Sequence, residues 1–313
     1  MNEKTNKKGF GAWFRDNWKN NALFSTGIAL IVMVILQTLA LGMTFVIISG
    51  GIDLAVGSTL VAVGAITMTL IDAANGGWLG AIGLTGAPAY TVAILISVAA
   101  GIIFGGLNGL MVTAGKIPPF IATLGAMKIL RSVTQQFMQS SSPKVPTGFQ
   151  QIARVKVGGQ MFMPILYWLL IALVLYIVSK KTVFGRHVFA VGSNEKTSRL
   201  SGINVNRVKL GVYALMGAVV AIAAVLQVSR IGAMDPANAG SGYELDSIAA
   251  VIVGGTSMSG GKGSVVGTVF GMLIIAVMNN LLNLLGVPPF LREAFKGAII
   301  IAAVLLQRKS SDN

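Results

Sequence analysis

Very few residues of this chain have the types and spacing that chemistry requires. TSMSGGKGS at 256–264 comes nearest, because a glycine-rich loop ahead of a lysine is how a P-loop cradles phosphate on backbone N–H groups. The match fails twice. Thr256 occupies the first glycine position of GxxxxGK[ST], and Gly263 the position of the hydroxyl that would hold magnesium. ATP is therefore not expected to bind here. With no cysteine and one histidine, His187, the chain can build neither a thiolate nor a histidine-rich metal site. Only Asp53 and Glu293 are candidates for relaying a proton through apolar surroundings, which speaks against proton coupling. No catalytic residue, metal site or cofactor is nominated.

The polar residues concentrate instead in one island, KKTVFGRHVFAVGSNEKTSRLSGINVNRVK at 180–209, between two long apolar runs. It holds seven of the 24 basic residues (Lys180, Lys181, Arg186, Lys196, Arg199, Arg207, Lys209) and one acid, Glu195. Basic residues beside membrane spans accumulate on the cytoplasmic side, so the island is expected inside the cell. Within it, Ser193 or Asn194 can cap a short helix running to about Ser201, and Gly202 can end it. Glu195 then lies near the positive helix N-terminus and Arg199, four residues on, near the negative C-terminus. A short helix between membrane spans is a surface that another protein can push. The same pattern also describes a solvated loop with ordinary capping residues.

The elements around the island are membrane helices. Hydrophobic residues make up 54% of the 313 positions and charged residues 11%, against roughly 25% charged in soluble domains. Mean hydropathy is +0.77. The class is all-α, a polytopic membrane protein. Thirty-nine glycines imply tight helix packing or irregular backbone, since lipid supplies no hydrophobic force between helices. A net charge of +14 suggests nucleic acid at first sight. The basic residues cluster, however, at the N-terminus, the island and Arg308 with Lys309, where determinants of membrane orientation belong, so nucleic acid is not an expected partner.

Residues 1–21 read as a basic cytoplasmic segment with Trp13 and Trp18 as interface anchors, 22–307 as one transmembrane domain, and 308–313 as a cytoplasmic tail. No small-residue cleavage site follows the first segment, so the next run reads as a retained anchor. Apolar runs at about 23–49, 56–74, 92–114, 117–138, 162–179, 208–228, 245–254, 264–286 and 291–307 give nine crossings. The run 245–254 is too short alone and is expected to join the preceding segment as a broken helix. Counted back from a cytoplasmic C-terminus, the island, Lys116 and the 49–53 turn fall inside, but residues 1–21 fall outside against five basic residues. Either 23–49 is not one simple span, or a segment is absent there, or the N-terminal charges are overruled.

The chain also echoes itself. GGLNGLMVTAGKIPPF at 105–120 resembles VMNNLLNLLGVPPF at 277–290, and ISGGIDLAVGS at 48–58 resembles IVGGTSMSGGKGS at 252–264. The first pair begins in the third and eighth crossings, so its copies must point in opposite directions, an inverted repeat of the kind from which transporters build a path open to either side. Lys116 before the inner Pro-Pro-Phe and Val287 before the outer one fit that inversion. Non-helical backbone is expected at Gly50 and Gly51 and at Gly254 and Gly255. Asp53 either marks function or caps a helix starting at Leu54, and the cap is preferred. Lys128 and Arg131 share a helix face, and Arg292, Glu293 and Lys296 open the last run; such groups snorkel or pair more often than they bind substrate. The segment 230–246 carries Asp235, Tyr243, Glu244 and Asp246, an acidic and aromatic surface suited to docking a soluble partner or simply to hydration.

Together SGGIDLAVGS, PPFIATLGAM, FGRHVFAVGSNEKTSRLSGINV, GYELDSIAAVIVGGTSMSGGKGSVVGT and NNLLNLLGV resemble the permease subunit of bacterial ATP-binding-cassette importers for monosaccharides, the ribose and galactose permeases, with the ribose type closer. The resemblance runs from about Leu41 to the end. It implies a homodimer in the cytoplasmic (inner) membrane, about ten helices per copy, a separate ATPase subunit and an extracytoplasmic sugar-binding protein. It also implies ATPase coupling through Gly192, Asn194, Glu195, Arg199, Leu200, Ser201 and Gly202, and a translocation path near Gly50, Gly51, Asp53, Gly254 and Gly255. Tyr243, Glu244 and Asp246 are the candidates for docking the binding protein. One departure stands out: LQTLALG runs straight into ALGMTF through a shared LALG, so about one span with its outer loop is absent between Leu39 and Met43. The expected function is sugar import without enzymatic activity in this chain. The rivals are an ion-coupled secondary carrier and a non-transporting membrane scaffold.

Overall fold

The computed structural model describes residues 38–138, 143–157, 160–161 and 163–288, with 291, 294–295, 297–299, 301 and 305 beyond them. The expectations for residues 1–21, for the run 23–49 before Thr38, for Arg292, Glu293 and Lys296, and for the 308–313 tail lie outside these residues.

Apolar length dictates the main elements. In chain order the helices are α1 (Thr38–Ile48), α2 (Val56–Leu70), α3 (Gly77–Ala81), α4 (Gly86–Thr113), α5 (Pro119–Met138), α6 (Thr147–Arg154), α7 (Met163–Lys181), α8 (Val183–Ser193), α9 (Glu195–Leu200), α10 (Val205–Ile231), α11 (Tyr243–Val253) and α12 (Val265–Leu284). A two-residue antiparallel ladder, β1 (Lys156–Val157) with β2 (Gln160–Met161), is the one departure from the all-helical expectation among the described residues. Among the described residues four helices are long and apolar enough to cross a membrane: α4, α7, α10 and Val265–Leu282 of α12. The 20-residue α5 does not join them, because Lys128, Arg131 and two glutamines dilute its apolar run.

Composition around each helix tells where it sits. All 11 residues of α1 are buried, and it is apolar on every side, as a helix enclosed by other helices must be. In the most apolar window of α10, 72% of residues are buried, against 22% in α4 and in α7. Thus α1 and α10 form the centre. The flanking helices turn Leu95, Ile103 and Leu107 (α4) and Leu166, Leu169 and Leu173 (α7) outward, where lipid can solvate them.

The contact between α4 and α10 depends on small residues. Ala89, Ala93, Ser97, Gly101, Gly105 and Gly109 recur every four positions along α4 and are all buried, so they line one face. Against them α10 brings Gly217, Tyr213 and Leu210. A methyl group at Gly105 would collide with the Tyr213 carbonyl and come within 3.0 Å of Gly217 Cα. This is the small-xxx-small packing that lets helix backbones approach in a solvent offering no hydrophobic drive. The order of contacts, Gly101 with Gly217 and Gly109 with Leu210, makes the two helices antiparallel. The C-terminus of α4 and Lys116 therefore lie at the same end as the basic island.

Overpacking a buried contact of this kind costs roughly 1–3 kcal/mol. Gly105→Leu is expected to lower the thermal unfolding midpoint in detergent micelles, whereas Gly106→Leu, whose Cβ would meet nothing within 4 Å, leaves it unchanged.

Candidate coupling and translocation site

The island folds into two consecutive helices, α8 and α9. Thr182 caps α8, its Oγ1 accepting from Gly185 N at 3.1 Å. Of the two residues available as cap for α9, Asn194 does the work: its backbone is extended and its Oδ1 accepts the Thr197 N–H at 3.0 Å. Ser193 instead ends α8. Gly202 stops α9 in the left-handed region at φ +83°, donating to Arg199 O while Ile203 donates to Ser198 O, both at 3.0 Å. Glu195 Oε1 accepts from Arg199 at 2.9 Å, as the spacing indicated. Its Oε2 also accepts from Lys209 Nζ at 2.6 Å, a partner the sequence reading missed. Lys209 belongs to the second turn of α10, so this bond ties the short helix to a membrane span. The Lys209 ammonium and then the Arg199 guanidinium hold the Glu195 carboxyl below the usual glutamate range. Leu200 is 89% exposed, an apolar side chain that none of the described residues covers.

The first glycine-rich break separates α1 from α2. The last turn of α1 closes with Ser49, Gly50 and Gly51 donating to Phe45, Ile47 and Val46 carbonyls at 2.9–3.0 Å. Asp53 is buried, but it is not a cap of a helix starting at Leu54. Its Oδ1 accepts the Ala55 N–H at 2.8 Å in a local turn, and α2 begins at Val56 behind an Ala55 that has no side-chain cap. The shift arises because Ile52 is held by other elements: its carbonyl accepts from Tyr213 Oη (α10) at 3.2 Å and, at a longer 3.5 Å, from Thr123 Oγ1 (α5). Asn108 of α4 lies beside the Asp53 carboxylate, though its Nδ2 makes no hydrogen bond of good geometry. Gly51 sits where a side chain would press on Tyr213 Oη and Val46.

The second break follows α11. Gly254 and Gly255 leave the helix as expected, and residues 256–264 are non-helical. Ser257 N–H donates to Lys262 O and Gly260 N–H to Ser257 O, at 3.0 and 3.1 Å. Those amides are turned inward on the loop itself, the opposite of a phosphate cradle. Gly254 packs backbone to backbone on Gly267 of α12. The path from α10 to α11 is also non-helical. Met234 lies beside Gly64 and Gly240 beside Gly57, so residues 232–242 descend along α2 by two turns, about 10 Å. Arg131 Nη1 holds this segment by donating to Pro236 O at 3.1 Å and Ala239 O at 2.6 Å. The pairing expected for an intramembrane arginine is thus made with backbone carbonyls. Tyr243, Glu244 and Asp246 form the first turn of α11, half-buried, with Glu244 against Gly57. Exposed Asp235, at the head of the descending segment, is held in the lower carboxylate range by the Ala237 N–H and the Asn238 side chain.

The structure brings Gly192, Gly50 and the second break together at the basic end, and seats Gly51 and Asp53 against α4 and α10. Tyr243 and Glu244 lie at the start of α11, with Glu244 against Gly57 in the first turn of α2. Missed by the sequence were Lys209, Tyr213, Thr123 and Asn108, each an ordinary residue of its own helix with no local signal of its partner. No nucleophile paired with a base, and no group of acids or histidines fit for a metal, occurs among the described residues. What the arrangement offers is two interrupted backbones joined to a charged lever. Because the folded Glu195 pKa is depressed, its ion pairs stabilise α9 above the unfolded glutamate pKa and are lost as pH falls through the folded value. In a carbon-13 carboxyl titration Glu195 is expected below the other glutamates, and Lys209→Ala is expected to move it back up.

A family model described as a branched-chain amino acid transport system permease component matches residues 25–304. The ribose import permease protein of Escherichia coli K12 is 39% identical over 277 residues, covering 87% of this chain and 81% of that protein. Its namesake in Bacillus subtilis 168 is 41% identical over 276 residues with the same coverage. The galactose/methyl galactoside import permease of E. coli K12 is 36% identical over 275 residues, 86% of this chain and 81% of that protein. No solved structure matches the chain. The matched span exceeds four-fifths of the sequence, and this chain belongs to that family of transport-system permease components.

Proposed function

We propose that this chain is the membrane-spanning subunit of a bacterial ATP-binding-cassette importer that carries a monosaccharide, of the ribose-type pentose class, across the cytoplasmic membrane into the cell. The observation that carries this reading is the 39–41% identity to ribose import permeases over 87% of the chain. The permease binds no ATP. A separate ATPase subunit hydrolyses it and acts on α9 through Gly192, Asn194, Glu195, Arg199, Leu200, Ser201 and Gly202. An apolar Leu200 standing clear of its own chain beside a fixed ion pair is the chemistry of a docking contact.

In this reading 22–307 is one transmembrane domain of about ten helices, with 1–21 and 308–313 in the cytoplasm, and two copies assemble through their outward apolar faces. The sugar passes near Gly50, Gly51, Asp53, Gly254 and Gly255. An extracytoplasmic sugar-binding protein docks over Tyr243, Glu244 and Asp246, and reaches down to the first turn of α2. The inverted repeat rests on the Pro-Pro-Phe echo, with Lys116 before the inner copy and Val287 before the outer one.

The test is reconstitution in liposomes with a candidate ATPase and sugar-binding protein. Wild type is expected to take up sugar only with ATP, and Glu195→Lys and Gly202→Trp to lose about tenfold in uptake rate or more. Uphill accumulation by the purified chain alone, or full ATP-driven uptake in both variants, contradicts the reading.

A further inference from the structure

Three segments that the importer reading treats separately meet at one carbonyl. Ile48 is the last residue of α1, so its carbonyl oxygen lies among those left unpaired at a helix C-terminus. It accepts the N–H of Gly261, in the loop after the second break, at 2.9 Å. Gly192, in the last turn of α8 and three residues before the start of α9, packs on the same point. A methyl group there would overlap the Ile48 carbonyl and lie 2.6 Å from Gly261 N. A methyl group at Gly260 would lie 2.9 Å from Gly192 O, 3.1 Å from Ile48 O and 3.2 Å from Gly50 N. At Gly261, in the left-handed region at φ +72°, it would press on Ser193, 2.7 Å from its Cα. The end of α8, the first break and the second break are therefore in backbone contact at Gly192, Ile48 and Gly260, with Gly261 against Ser193.

We infer that this junction of Gly192, Ile48, Gly260 and Gly261 is the link through which displacement of α8 and α9 is passed at once to both glycine-rich breaks. The inference rests on the importer reading and adds the residues that do the transmitting. Side-chain contacts between moving parts can absorb a small shift by changing rotamer. Backbone in van der Waals contact cannot, because close-packed interiors transmit strain instead of absorbing it. The lever has a second hold, the Lys209 bond to α10, but that bond is made by long, flexible, partly exposed side chains. It can stretch without moving a helix. The glycine junction is the stiff connection, and Gly192, Gly260 and Gly261 are positioning residues that touch no substrate.

The test uses the complete reconstituted complex and reads sugar moved per ATP hydrolysed. Gly260→Ala and Gly261→Ala are expected to keep ATP hydrolysis near the wild-type rate while the sugar-to-ATP ratio falls roughly tenfold, within the range by which such contacts modulate coupling. Gly83→Asn, at a left-handed position in the turn between α3 and α4 with nothing within 4 Å of its Cβ, is expected to leave the ratio unchanged. Hydrogen exchange on the wild-type complex supplies a readout that needs no variant to fold. Protection of the Gly261 amide is expected to change when nucleotide binds the ATPase. An unchanged ratio in both alanine variants, or unchanged Gly261 protection, overturns the inference. ATP-driven uptake by wild type is a separate measurement, so loss of the importer reading is distinguishable from loss of the junction.

Discussion

Inside a bilayer a backbone group that leaves a helix has no water to turn to, and every such group must find a partner within the protein. Most of this structure follows from meeting that demand at two interrupted segments. Where α1 stops, Ile48 O is met by Gly261, and Ile52 O by the hydroxyl of Tyr213. Where the chain descends from α10 to α11, Arg131 supplies two donors to Pro236 and Ala239. Each partner comes from a remote segment, Gly261 from the loop after the second break, Tyr213 from α10 and Arg131 from α5, so these segments must hold their relative positions for any of these bonds to exist. Polar residues inside apolar runs, costly on their own, are explained by what they hold.

The abundance of glycine has the same origin. Backbone can partner backbone only at close range, and only where no Cβ intervenes. At Gly101, Gly105 and Gly217 that proximity welds two long helices, and at Gly57 and Gly240 it seats the descending segment on α2. At Gly192, Gly260 and Gly261 it joins the end of α8 to the two breaks. A body built this way is rigid in its spans and continuous from lever to breaks. That suits a subunit whose driving energy arrives from outside its own chain. The lever is arranged accordingly, with one face tied down through Glu195 and Lys209 and an apolar tip, Leu200, left bare.

Much of the local structure was legible in residue order, because its causes lie within a few positions of each other. The helix 195–200 with its Asn194 cap, its Gly202 stop and its Glu195–Arg199 pair needs nothing beyond a single turn of chain, and all of it is present. Gly50 and Gly254 as helix-leaving points, the long apolar spans and the failed P-loop were equally readable. Asp53 was misread for an instructive reason. A carboxylate just before an apolar run is a fair cap, yet the run starts two residues late because Ile52 is pinned by Tyr213, 161 positions away in sequence.

By itself, then, residue order determined that the chain is a bundle of membrane helices with a charged lever at one end and two breaks rich in glycine, since hydropathy, capping and charge act over a turn or a span. Tertiary structure decided which glycines touch, that 232–242 folds back along α2, that Arg131 holds the Pro236 and Ala239 carbonyls, and that Lys209 ties α9 to α10. It also decided that the two breaks meet at one end of the molecule. Those outcomes depend on partners from remote parts of the chain, and a hydrogen bond between distant segments leaves no trace in the neighbours of either residue.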